Sequence, residues 1–110
     1  MTQEELENIE VSNEEAKLAV AKGEAFKRLL ENPDYKLVIS QGYVKEYAKD
    51  IAIAISMNVG EYDTDELVEE LKSINGLIRY GFKVANAHNA AEIDLRNNAN
   101  FVANSTKEEE

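Results

Sequence analysis

Cysteine and tryptophan are absent from this chain, and histidine and proline each occur once. Without cysteine there is no disulfide, no thiolate nucleophile and no cysteine-ligated zinc. A single histidine leaves no mononuclear His-rich metal site. Long apolar runs are missing too. The densest, IAIAI at 51–55, falls far short of the roughly 18 to 20 residues that span a bilayer. The acidic opening MTQEELENIE is the reverse of a basic, then apolar secretory signal. These absences predict an intracellular protein with no membrane span, no metal and no cofactor.

Phosphate-binding motifs are missing as well. Glycines 23, 42, 60, 76 and 81 stand singly, so neither GxxxxGK nor GxGxxG can be drawn. The stretch DTDELVEELKSI has the charge of a calcium loop but lacks its central glycine. A net charge of −10 opposes direct contact with nucleic-acid phosphates or anionic lipid, because both need a surplus of Lys and Arg.

What the chain does have is one domain's worth of residues, 110, with a 44% hydrophobic fraction that suits a modest core. Its acidity is concentrated. Glu4, Glu5, Glu7, Glu10, Glu14 and Glu15 precede the first base, and Glu61, Asp63, Asp65, Glu66, Glu69 and Glu70 form a second window; without those twelve, ten acids face twelve bases. Such windows solvate the chain and favour helix N-termini. The second window also predicts a docking patch for a basic partner through Glu66, Glu69 and Glu70.

Three helices can be read in order. Ser12 with Glu15 has the form of a capping box, with Val11 as its staple, and Leu18, Ala25, Phe26 and Leu29 follow at helical spacing. The first helix is therefore expected over 13–31, after an acidic arm at 1–11 that either forms a short helix of its own or, with few apolar positions, stays mobile. Gly23 interrupts it at a cost of about 1 kcal/mol unless a close contact needs it. Asn32-Pro33-Asp34 then makes a corner, with Asn32 as N-cap and Pro33 at the first helical position. The second helix carries a seam of Leu37, Gln41, Val44, Ala48, Ile51 and Ile55, widened into a broad apolar belt by Ile39, Tyr43, Tyr47 and Ala54, with a strand over the alternating isoleucines as the competing reading. Asn58 and Gly60 mark a C-cap and loop.

The third helix opens at Asp63 as N-cap, with Glu66 at its third position, and carries the most regular stripe: Leu67, Leu71, Ile74, Ile78, Gly81, Ala85, His88, Glu92, Leu95, Ala99 and Val102. Folding it back on the second gives an antiparallel hairpin, with Gly42 and Gly81 as points of close approach and the first helix on the open side. The predicted fold class is thus all-α, a three-helix antiparallel bundle over 12–95. Residues 96–110 form an Asn-rich tail, frayed or partner-binding, and the candidate contact residues here are Ala91 and Leu95 just before it and Phe101 within it.

Two constellations could carry chemistry. His88 and Glu92 stand one turn apart, the spacing of an acid–base pair, but their neighbours are Asn and Ala where catalysis needs a converging nucleophile or polarising group. Tyr43 and Tyr47 alternate with Lys45 and Lys49 as in a base-stacking surface, yet on a helix these lysines point away from the rings. Both sets read as structural, and no catalytic residue is assigned.

The stretch AxxxGEAFKRLLENPDYKLVISQGYVKEYAKDI, with the later LKSINGLIRYGFKVANAHNAAE, resembles small acidic helical proteins encoded by tailed bacteriophages near head and other virion genes. The likeness covers roughly residues 16–93 and is most specific at NPDYKLVI, at Gly42-Tyr43, and at the run Leu71, Ile74, Leu77 and Tyr80. It implies a non-enzymatic virion-head structural or assembly protein, found in host cytoplasm or virion and acting on a phage or host protein or on itself. The alternative is an acidic host-takeover inhibitor that, like a DNA mimic, binds a basic site on a nucleic-acid enzyme.

Overall fold

A reciprocal pair of hydrogen bonds starts the first helix. The Glu5 N–H donates to Thr2 Oγ1 at 3.1 Å, and the Thr2 N–H donates to Glu5 Oε2 at 3.1 Å, which is the T-x-x-E capping box. In this computed structural model, which describes residues 2–57 and 63–109 and their side chains as far as 105, α1 therefore spans Gln3–Glu31. The start expected near residue 13 is corrected. Ser12 lies inside the helix, and Val11, expected as its staple, is 57% exposed. Residues 3–11 have few apolar positions, but the Thr2 cap and the acids Glu4 and Glu5 at the positive end of the helix dipole favour the winding.

The corner forms as predicted. Asn32 Oδ1 accepts from the N–H groups of Asp34 at 2.9 Å and Tyr35 at 3.1 Å, and Pro33 follows it at the helix start. The short α2, Pro33–Tyr35, leads into a π-helical segment, Lys36–Tyr47, and then into α3, Ala48–Met57. The α-helical seam expected here is corrected at Leu37 and Gln41. Tyr35, Ile39, Tyr43, Val44 and Ala48 are partly buried, whereas Leu37 is 66% exposed and Gln41 is exposed. The line Tyr35, Ile39, Val44 and Ala48 advances by four, five and four, matching i→i+5 winding at about 4.4 residues per turn. From Ala48 onward, Ile51 and Ile55 return to α spacing, so the isoleucines are helical and not a strand.

The C-cap and loop read at Asn58 and Gly60 lie outside the described residues. Asp63 caps the last helix: its Oδ1 accepts from the Asp65 N–H at 3.0 Å and its carbonyl from the Leu67 N–H at 3.2 Å. Helix α4 then spans Thr64–Glu109, so the stretch after residue 95, expected to be a frayed or partner-binding tail, is helical. The described elements are all helical, which establishes an all-α chain. Among them no helix is long and apolar enough to cross a membrane.

The chain divides into two compact units, Met1–Phe26 with Lys83–Glu110, and Lys27–Phe82. In the first, α1 packs antiparallel on the C-terminal part of α4. Asn98 Nδ2 donates to Ser12 Oγ at 3.3 Å and to Asn13 Oδ1 at 2.9 Å, while Gly23 meets His88. Ala16, Gly23, His88 and Ala91 are buried along this seam. In the second unit the π-helical segment and α3 run back along the N-terminal part of α4, with Ile51 and Ile74 as the buried aliphatics, at 3% and 2% exposure.

The stripe of α4 is corrected at alternate positions. Gly81, His88, Leu95 and Val102 face inward as read, but Ile78, Ala85, Glu92 and Ala99 are exposed, and Leu77, Val84, Ala91 and Asn98 take their places. Two successive steps of three, from Leu71 to Ile74 to Leu77, shift the register, as a three-residue insertion does in a heptad pattern. Gly42 is corrected as well. A Cβ there would lie 3.1 Å from the Leu37 carbonyl oxygen, within its own π-turn, with no other neighbour inside 4 Å. A close approach is made at Gly23, where a methyl group would overlap the His88 ring.

Candidate protein-contact grooves

A pair of packed helices leaves a furrow on each side, and among the described residues of the unit Lys27–Phe82 two furrows differ in chemistry. One, of about 260 Å³, is lined by Tyr47 from the π-helical segment, by Asp50, Ile51 and Ala54 from α3 and by Glu66, Leu67 and Glu70 from α4. Its floor is apolar, formed by Ile51, Ala54 and Leu67. Its rim carries three carboxylates. Tyr47 Oη donates to Glu70 Oε2 at 2.7 Å, tying the two walls together. The Tyr47 ring is itself positioned by Tyr43, with ring centroids 6.1 Å apart and planes tilted at 37°.

The other furrow, of about 450 Å³, is lined by Val44, Ala48, Val68, Leu71, Lys72, Ile74, Asn75 and Ile78. It is wider and mostly aliphatic, with Lys72 as its one charged group. The Lys72 ammonium lies 3.2 Å from Glu69 Oε1, both side chains being largely exposed. An exposed pair of this kind contributes little to stability.

Of the acids expected to form a docking patch, Glu66 and Glu70 share the first groove. Glu69 is directed to Lys72 instead, and its carbonyl accepts from Ser73 Oγ at 3.1 Å. Ala91, at 4% exposure, is spent on the seam with α1 and offers no surface to a partner; Leu95 is half-buried on the same seam, and Phe101 is 49% exposed. Reading single helices missed Tyr47, Asp50, Ile51 and Leu67 as groove residues. The signal was present in the antiparallel pairing, which brings Tyr47 opposite Glu70, but it needs two segments at once.

His88 and Glu92 meet as their spacing predicts, Nε2 to Oε1 at 2.7 Å. The imidazole is 3% exposed and covers Gly23, so it serves as a packing element whose polar atom is satisfied by the Glu92 carboxylate. Among the described residues no cluster of three or more His, Asp or Glu side chains is placed to hold a metal ion. No family model, curated protein or solved structure matches this chain.

Proposed function

We propose that this chain is a non-enzymatic protein that works by protein contacts, and that its partner presents a basic, partly apolar segment to the groove between Tyr47 and Glu70. The observation that supports this reading is the composition of the groove: Asp50, Glu66 and Glu70 around a floor of Ile51, Ala54 and Leu67. Lys or Arg side chains can lay their aliphatic stems on that floor and carry their charges to the rim. The expected three-helix antiparallel bundle belongs to this proposal as its finer architecture.

The likeness to phage proteins supplies the setting, a structural or assembly factor of the virion head. The acidic groove also favours a second reading, an inhibitor that occupies a basic site on a host nucleic-acid enzyme. Mass spectrometry of purified particles and their precursors separates the two, because an assembly factor is present in at least one of them and an inhibitor in neither.

Groove specificity is tested with a synthetic amphipathic peptide of alternating Lys and Leu turns. The triple variant Asp50→Asn, Glu66→Gln, Glu70→Gln should weaken its binding at least tenfold. Glu4→Gln, Glu5→Gln, Glu7→Gln, which changes net charge by the same amount, should leave it within about twofold, since exposed charges at a distance are screened. Equal losses from both variants would reject the groove in favour of diffuse attraction.

A further inference from the structure

The outer side of α4 carries a line of its own. Asn86, Asn89, Ile93, Asn97 and Asn100 are all exposed and follow one another at steps of three, four, four and three, which places them on one helical face. That face lies opposite the inward line Val84, His88, Ala91, Leu95 and Asn98. In a chain with 31% charged residues, no Asp, Glu, Lys or Arg falls on it; Glu92, Asp94 and Arg96 take flanking positions.

The line is also palindromic. Asn89 and Asn97 stand four residues to either side of Ile93, and Asn86 and Asn100 stand seven. A carboxamide both donates and accepts hydrogen bonds, so an asparagine is its own complement. Symmetric position and self-complementary chemistry together match one occupant, a second copy of this chain running in the opposite direction, which is the isologous contact of a two-fold dimer.

We infer that this face is a self-association surface through which two copies pair antiparallel. Ile93 meets the partner's Ile93 on the two-fold axis, Asn89 faces the partner's Asn97, and Asn86 faces the partner's Asn100. On one flank Arg96 comes beside the partner's Glu92, an opposite-charge pair. On the other, Asp94 faces the partner's Asp94, a like pair that holds the association weak. The contact runs along about 21 Å of helix, which suits a transient interface better than an obligate one.

The chain has no cysteine, so one introduced thiol reports on the contact. In full-length protein of unchanged helicity by circular dichroism, Ile93→Cys should form a disulfide-linked dimer at least tenfold faster than Ala87→Cys, an exposed position off the line. Chains carrying Asn89→Cys mixed with chains carrying Asn97→Cys should cross-link faster than either alone. In sedimentation equilibrium, Asp94→Asn should move the balance several-fold toward dimer. The inference is overturned if Ile93→Cys is no faster than Ala87→Cys, if Asn89→Cys alone links as fast as the mixture, or if Asp94→Asn leaves the balance unchanged.

Discussion

Each of the two units of this chain is packed internally by its own means. Where α1 meets the C-terminal part of α4, the buried side chains are small or polar: Ala16, Gly23, Ala91 and His88, with a rung of Ser12, Asn13 and Asn98. Where the π-helical segment and α3 meet the N-terminal part of α4, the buried residues are aliphatic, Ile51 and Ile74, and a furrow opens on each side. Small residues bury little apolar area, so the first unit depends on close approach and satisfied hydrogen bonds. Large aliphatics contribute more area but hold the backbones apart, and the spaces left beside them are where a partner fits. Stability by geometry and stability by area are thus allotted to different stretches of one long helix.

Substitutions can break this contrast, and their effects should fall in order. Ile74→Ala removes the most buried large side chain, at 2% exposure, and should cost about 3 kcal/mol in urea unfolding through lost transfer energy and the cavity left behind. Gly23→Ala should cost about 2 kcal/mol by overpacking, because its methyl group overlaps His88. Combined with His88→Ala it should cost less than the sum of the two single changes, a coupling that a double-mutant cycle measures. If Gly23→Ala is neutral, the close approach is not what holds the first unit.

Smaller effects sharpen the picture. Asn98→Ala leaves Ser12 and Asn13 without their shared donor and should cost about 1 kcal/mol. Thr2→Ala removes one hydrogen bond of the reciprocal capping box and should cost about 0.5 kcal/mol, at the low end for an N-cap. In hydrogen exchange its effect should be confined to the first turns of α1, whereas that of Asn98→Ala should spread along both helices of its unit.

Features coded by neighbouring residues were legible in the sequence. Asn32 and Asp63 were read as caps because a short side chain bonding its own backbone within three residues needs no tertiary information. The meeting of His88 and Glu92 was legible for the same reason. The π winding was not. Leu37 and Gln41 satisfy an α pattern with Val44 on paper, but they are exposed while Ile39, Tyr43 and Val44 are partly buried, and Val44 shares a groove with Val68 and Leu71 from a distant part of the chain. The register of α4 was half legible, since steps of three and four can alternate in either phase; Glu92 is excluded from the seam only once α1 lies against Ala91. The acidic groove was legible at Glu66 and Glu70 as charge, but its floor and its Tyr47 tie needed both walls in place.

The central claim is that the stretch Lys27–Phe82 receives a basic, partly apolar segment in one groove. The most direct measurement is a titration of isotope-labelled full-length protein with the Lys/Leu peptide, followed by backbone and side-chain NMR shifts. The claim predicts that the largest shifts fall on Tyr47, Asp50, Ile51, Ala54, Glu66, Leu67 and Glu70 and saturate together. Shifts spread over Glu4 to Glu15 as strongly as over these residues would contradict it.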